Sequence, residues 1–169
     1  ACVDSKGMPI NRNRLVALAA AIALEQCPGG TIVTDSTTSA GLKLFIEDTL
    51  KGKHHRYRRG YRNVINEGIK LNESGENCPL AIETSGHAAF KNNYFLDDGA
   101  YLITLIIVKM MQLRSEGRSL DDLIEALEEP AEEAVYRFDI IYSDFRSYGQ
   151  KVISLLMDFA DKNPRCRMA

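Results

Sequence analysis

The stretch Pro79–Phe90, PLAIETSGHAAF, decides how the chain is read. An apolar run suited to a buried strand ends in Glu83, Thr84, Ser85, Gly86 and His87, a cluster that a core strand does not need. In an open α/β sheet, ligands bind beyond the carboxyl ends of the strands. The run delivers Glu83 to such an end, and residues 84–87 turn away from it. A glutamate there suits two hydroxyl hydrogen bonds, Ser85 donates and accepts, and His87 moves a proton near neutral pH. Gly86 lets the backbone bend tightly or approach a ligand. Donors and acceptors clustered this way suit a polyol such as a sugar. An ordinary strand-end turn with a helix cap accounts for the same residues equally well. A serine hydrolase does not, because no G-x-S-x-G elbow frames Ser85.

Outward from this stretch, strand and helix signals alternate. ACVD reads as a short strand followed by a Gly/Pro turn, SKGMP. INRNRLVALAAAIALEQ has the spacing of a buried, alanine-rich helix with Asn11 as N-cap, stopped by CPGG. TIVT is a β-branched strand, and DSTTS a polar turn that caps the helix AGLKLFIEDTLKG. HHRYRR is extended, GYRNVINEGIKLN helical, and AFKNNYFLDDG a turn or hairpin edge. Asp97 and Asp98 precede the helix AYLITLIIVKMMQLRSEG, where negative charge suits the N-terminal dipole. This alternation predicts an α/β fold, a sheet layered with helices, over residues 1–117. Residues 118–169 change character: an acidic hinge broken by Pro130, in which Glu128–Glu133 form a solvated boundary, then a final amphipathic helix, DFRSYGQKVISLLMDFADKN. Ser119 to Asp122 has the form of a capping box.

Bulk composition narrows the function classes. The 169 residues are 45% hydrophobic and 26% charged, with a net charge of −2 that gives no global attraction to nucleic acid or anionic membrane. The apolar stretch Gly99–Met111 is too short and too interrupted to span a bilayer. Cysteines at 2, 27, 78 and 166 match neither a zinc spacing nor a CxxC pair, so reduced thiols are expected. The chain starts without Met and in mid-strand, which suggests a piece of something longer or a processed product.

One local exception to the charge balance is KGKHHRYRRGYR, residues 51–62, which holds Lys51, Lys53, Arg56, Arg58, Arg59 and Arg62, two of the three His, and no acid. Arg forks such as Arg58 and Arg62 suit phosphate oxygens, and the interleaved Tyr57 and Tyr61 suit stacked bases. Three readings stay open: a solvated face, a site for a phosphorylated small molecule, or a nucleic-acid contact.

IETSGHAAF…LDDGAY resembles the third domain of the α-D-phosphohexomutases, the phosphoglucomutase/phosphomannomutase superfamily, whose sugar loop reads G-E-x-S-G-H ahead of a helix-opening D-G. ACVDSKGMPINRNRLVALAA is similar to the segment after that family's D-x-D-x-D-R metal loop. TIVTDSTTSAGL resembles its V-T-S-type turn, and YRRGYRNVINEG its G-[FY]-[KR]-x-[IV] segment. The likeness covers roughly residues 1–117 in order, and its wording looks closest to the plant and algal branch.

The resemblance implies a mixed sheet layered with helices and a helical extension toward domain four. It also implies a parent enzyme that interconverts hexose 1-phosphate and 6-phosphate through a bisphosphate intermediate. By motif, Glu83 and Ser85 hold sugar hydroxyls beside Gly86, His87 stands as proton acceptor at the reacting end, and Arg58 and Arg62 are phosphate candidates. Ile82 stands where the family usually has Gly, Thr84 fills its variable position, and Tyr61 takes a place where some members have a substrate-touching histidine. No T-x-S-H-N phosphoserine loop and no D-x-D-x-D-R loop occur in these residues, so Mg²⁺ is expected outside this chain and the isolated chain is expected to be inactive. The implied partners are hexose phosphate and the remaining domains of the parent, with no nucleic acid and no membrane, in cytoplasm or plastid. A non-catalytic sugar-phosphate-binding or regulatory module of the same fold is the alternative.

Overall fold

The computed structural model describes residues 2–130 and 139–163. The chain divides into two compact units, Ala1–Ala131 and Glu132–Ala169.

In the first unit the most buried element is α1 (Arg12–Gln26). Val16 through Leu24 are buried without interruption, five of them alanine. A helix that is apolar all round must be covered all round. Here β3 (Leu80–Ile82) covers one side of α1, and α4 (Gly99–Ser115) and α5 (Asp121–Ile124) cover another. Pro28 and the positive φ of Gly29 then turn the chain into β1 (Thr31–Asp35), which is buried along its whole length. A strand buried on both faces reads as an uninterrupted run rather than an alternation, as TIVT does. Ser39 caps α2 (Ala40–Leu44), its Oγ accepting from the Leu42 N–H at 3.1 Å. The helix widens into a π-helical turn, Phe45–Thr49, which the sequence pattern does not distinguish from α-helix.

β2 (Lys53–Tyr57), α3 (Tyr61–Glu73), β3 (Leu80–Ile82) and β4 (Ala88–Phe90) complete a four-stranded mixed sheet in the order β2-β1-β3-β4. β1 runs parallel to β2, with Asp35 opposite Tyr57, and parallel to β3, with Thr34 opposite Ile82. β4 is antiparallel to β3, with Ile82 opposite Ala88. Alternate residues feed two cores. Ile32, Leu80 and Ile82 pack with α1, α2, α4 (Gly99–Ser115) and α5 (Asp121–Ile124). Val33 and Ala81 pack with Val64 of α3 on the opposite face. Helices on both faces of a mixed sheet give the α/β architecture expected from the sequence.

Local details depart from the expectation. Among the described residues of ACVD the pairing is the single bridge Val3–Pro9, because Asp4 folds the segment into a turn by accepting the Lys6 and Met8 N–H groups at 3.0 and 2.7 Å. At Ser119 the Asp122 carboxylate accepts the backbone N–H at 2.9 Å, the reach-back half of the capping box. Of the acidic boundary, Glu128 and Glu129 are exposed, whereas Glu132 and Glu133 lie outside the described residues, as does Cys166. Cys2, Cys27 and Cys78 form no disulfide among the described residues. Within the second unit, α6 (Phe145–Lys162) is capped by Asp144 and carries an apolar stripe at Tyr148, Val152, Leu155 and Phe159.

Candidate functional site

The strand order fixes where ligands would bind. From β1 the chain passes over one face to β2, then returns over the other face to β3. The adjacent carboxyl ends of β1 and β3 are therefore the topological switch point, where an open α/β sheet leaves a crevice. Asp35 is the last residue of β1, and Glu83 is the first after β3.

Glu83 is only 5% exposed. Its Oε1 accepts the Gly60 N–H at 2.7 Å, and its Oε2 accepts the Ser85 hydroxyl at 3.1 Å. Each oxygen of a carboxylate offers about two acceptor sites. One protein donor apiece leaves each free to take a ligand hydroxyl. The Gly60 contact is possible because the loop after β2 crosses the end of β1 before entering α3. That crossing puts Gly60 at φ +118°, and a Cβ there would stand 2.8 Å from Asn63 Nδ2.

The turn itself is closed by backbone bonds. Glu83 N–H donates to the His87 carbonyl and Gly86 N–H to the Glu83 carbonyl, each at 2.9 Å. Gly86 makes the reversal at φ +98°. His87 returns the chain into β4, and the bridge between Ala89 and Asp97 brings a second carboxylate beside it. His87 Nδ1 lies 2.7 Å from Asp97 Oδ2. A carboxylate only accepts, so Nδ1–H donates and Nε2 is left bare to take a proton. The Tyr61 ring stacks on the imidazole with centroids 4.8 Å apart, and the Arg62 guanidinium lies over the far ring at 5.7 Å while Nε donates to the Tyr61 hydroxyl at 3.1 Å.

Asp35 ties the β1 turn to this loop. Its Oδ1 accepts from the Thr37 N–H and hydroxyl at 2.9 and 2.6 Å, and its Oδ2 from the Thr84 N–H and hydroxyl at 2.9 and 2.8 Å. Burial alone would raise the Asp35 pKa, but these bonds outweigh it and hold the carboxyl below its ordinary value.

The structure thus brings Glu83, Ser85, Gly86 and His87 together, with Arg62 joined to them through Tyr61. Arg58 lies instead over the Tyr57 ring at 5.6 Å. Within the basic run, Lys53 pairs with Glu76 at 2.6 Å, and Arg56 donates to Thr38 Oγ1 and the Ser39 carbonyl at 3.1 and 2.7 Å. Sequence reasoning missed Asp35, Gly60 and Asp97. The D-x-T of DSTT is a local signal for the Thr37 contact, but nothing local announces Thr84 or Gly60 as partners. Asp97 was assigned to the dipole of α4, yet Asp98 alone caps that helix, its Oδ1 accepting the Tyr101 N–H at 3.0 Å. Among the described residues no group of three or more His, Cys, Asp or Glu side chains converges to hold a metal ion.

The family model for phosphoglucomutase/phosphomannomutase, alpha/beta/alpha domain III, matches residues 11–130. The chain belongs to this family. A phosphoglucomutase/phosphomannomutase family protein from Burkholderia thailandensis superposes on the domain III fold with a TM-score of 0.57 and 27% identity, covering 75% of this chain and 26% of that one. A Thermus thermophilus protein described as a phosphomannomutase has the same fold, with a TM-score of 0.57 at 16% identity, covering 72% of this chain and 26% of that one. The chain thus spans about a quarter of the length of the structures it matches. Comparison with curated protein sequences gives no match. Among the described residues no helix is long and apolar enough to cross a membrane.

Proposed function

We propose that this domain III is the sugar grip of a phosphohexomutase, whose parent protein interconverts hexose 1-phosphate and 6-phosphate by phosphoryl transfer through a bisphosphate intermediate. The observation that carries the proposal is Glu83: a buried carboxylate just past the carboxyl end of β3, held by one donor on each oxygen, one of them the Ser85 hydroxyl. Glu83 and Ser85 bind hexose hydroxyls, Gly86 admits the sugar close to the backbone, and His87, oriented by Asp97, accepts a proton at Nε2. Arg62, and more weakly Arg58, attract the substrate phosphate. The run 51–62 commits Lys53 and Arg56 to protein partners, which favours a small phosphorylated ligand over nucleic acid.

The described residues do not converge on a magnesium site. Mg²⁺ and the phosphoserine belong to other domains of the parent, and the isolated chain binds without turning over. The same reading takes the parent as a member of the plant and algal branch, to which the wording GYRNVI…ETSGH…FLDDGAY is closest, and as a soluble protein of cytoplasm or plastid.

The test is Glu83→Ala in the parent enzyme. Loss of a buried polar partner to substrate hydroxyls costs about 1–3 kcal/mol, so kcat/KM for hexose phosphate should fall roughly five- to 150-fold. An unchanged kcat/KM would rule out the sugar-contact role. A parent that binds hexose phosphate but never turns it over would support a non-catalytic module instead.

A further inference from the structure

Asp35 is 1% exposed, and its carboxylate spends its full acceptor capacity on protein donors, two from Thr37 and two from Thr84. It therefore has nothing to offer a ligand or a metal. What it holds is informative. Thr84 lies between Glu83 and Ser85, the pair assigned to the sugar, and both its N–H and its hydroxyl are bound to the same Asp35 oxygen. The two threonine hydroxyls lie 3.1 Å apart, each having given its hydrogen to Asp35, so it is the shared carboxylate that joins the β1 turn to the grip loop at one point. Glu83 makes a second lock, from the same loop to Gly60. Two carboxylates on neighbouring strand ends thus fasten three turns together, and the residue between the fastenings is free only to hold Ser85 and Glu83 in one direction.

We infer that Asp35 is a positioning residue for substrate: by clamping Thr84 it aims Glu83 and Ser85 at the hexose hydroxyls. The inference rests on the sugar-grip reading above. The Thr84 hydroxyl is part of the same device, so the side chain at a position with no ligand contact of its own tunes the aim of its two neighbours. The grip contacts are made in ground state and transition state alike, so loosening them weakens binding more than chemistry.

The experiment uses the parent enzyme with steady-state kinetics on hexose phosphate. Asp35→Asn keeps shape and one carbonyl acceptor but loses the second. It should raise KM about tenfold with kcat within about twofold, the size expected for imperfect alignment of a hydrogen-bonded pair. Thr84→Val should raise KM in the same way, and Thr84→Ser, which keeps the hydroxyl, should restore it. A folded Asp35→Asn enzyme with wild-type KM, even if its Tm is lower, overturns the inference and leaves the residue purely structural. Should Asp35→Asn fail to fold, the threonine pair decides: Val raising KM with Ser restoring it supports the clamp, and Val matching wild type refutes it. Glu83→Ala run in parallel separates the two ideas. If it leaves KM and kcat/KM unchanged, the sugar grip falls and the clamp with it; if it raises KM while Asp35→Asn does not, only the clamp falls.

Discussion

Acidification from pH 7 to pH 5 should destabilise the chain through one imidazole, that of His54. It sits in β2 with Nε2 2.7 Å from Thr34 Oγ1. That hydroxyl donates its own hydrogen to the Asp35 carbonyl at 3.2 Å, so it accepts from His54, and Nδ1 is left buried with no partner. Protonating Nδ1 would place a charged N–H against the core without an acceptor. Burial first, then the positive charges of Arg56, Lys43 and His55, depress the His54 pKa from 6.5 to about 4. Between these values the unfolded chain binds a proton that the folded chain refuses. Stability is therefore flat above pH 6.5, falls as pH drops toward 4, and by pH 5 has lost about 2 kcal/mol through this residue. His54→Gln keeps a donor for Thr34 and cannot titrate. Urea denaturation at pH 7 and pH 5 should show the wild type losing about 2 kcal/mol more than the variant over that interval. Asp35, whose pKa lies below the ordinary 3.8, acts only at lower pH, where its contribution is lost as it protonates. Equal losses in the two proteins between pH 7 and 5 would refute the argument.

Gly68→Ala should destabilise despite the gain in helix propensity. A Cβ there would stand 3.0 Å from Ala81 Cβ and 3.1 Å from Phe95 Cε1, and Ala81 is part of β3 and cannot give way. Overpacking of about 1–3 kcal/mol then exceeds the propensity gain of about 1 kcal/mol, read as a lowered urea midpoint. Cys78 should resist alkylation in the folded chain, since it is fully buried and burial pushes its thiol up to about 12. Iodoacetamide at pH 8 should label it only once urea unfolds the domain, and labelling of the native chain would contradict this.

The elements that the sequence announces are those whose signals are local. The alanine-rich run of α1, the β-branched TIVT and the Ser39 cap all appear where their residues predict. The polar cluster at 83–87 is likewise legible, because a buried strand has no use for it. What stays hidden is what depends on pairing across the chain. HHRYRR reads as an extended basic run, but nothing in it tells that His54 faces Thr34 or that Arg56 reaches the turn after β1, contacts set by the parallel register of β1 and β2. Asp97 and Asp98 look equivalent beside a helix start, and only the bridge at Ala89 sends Asp97 to His87. Asp35 looks like a turn former, and its second pair of donors comes from 49 positions away.

Those separations also rank the contacts around residues 83–87 by how much chain each must close. The His87–Asp97 contact closes over 10 positions, Gly60–Glu83 over 23, and Asp35–Thr84 over 49. Closure entropy rises only slowly with length, by about 1.4 kcal/mol from the shortest to the longest of these loops. The stronger constraint is register, since Asp35 and Thr84 meet only after β1 and β3 have paired. The Asp35–Thr84 contact therefore depends on the long-range β1–β3 register, whereas the His87–Asp97 contact needs only the local pairing around Ala89.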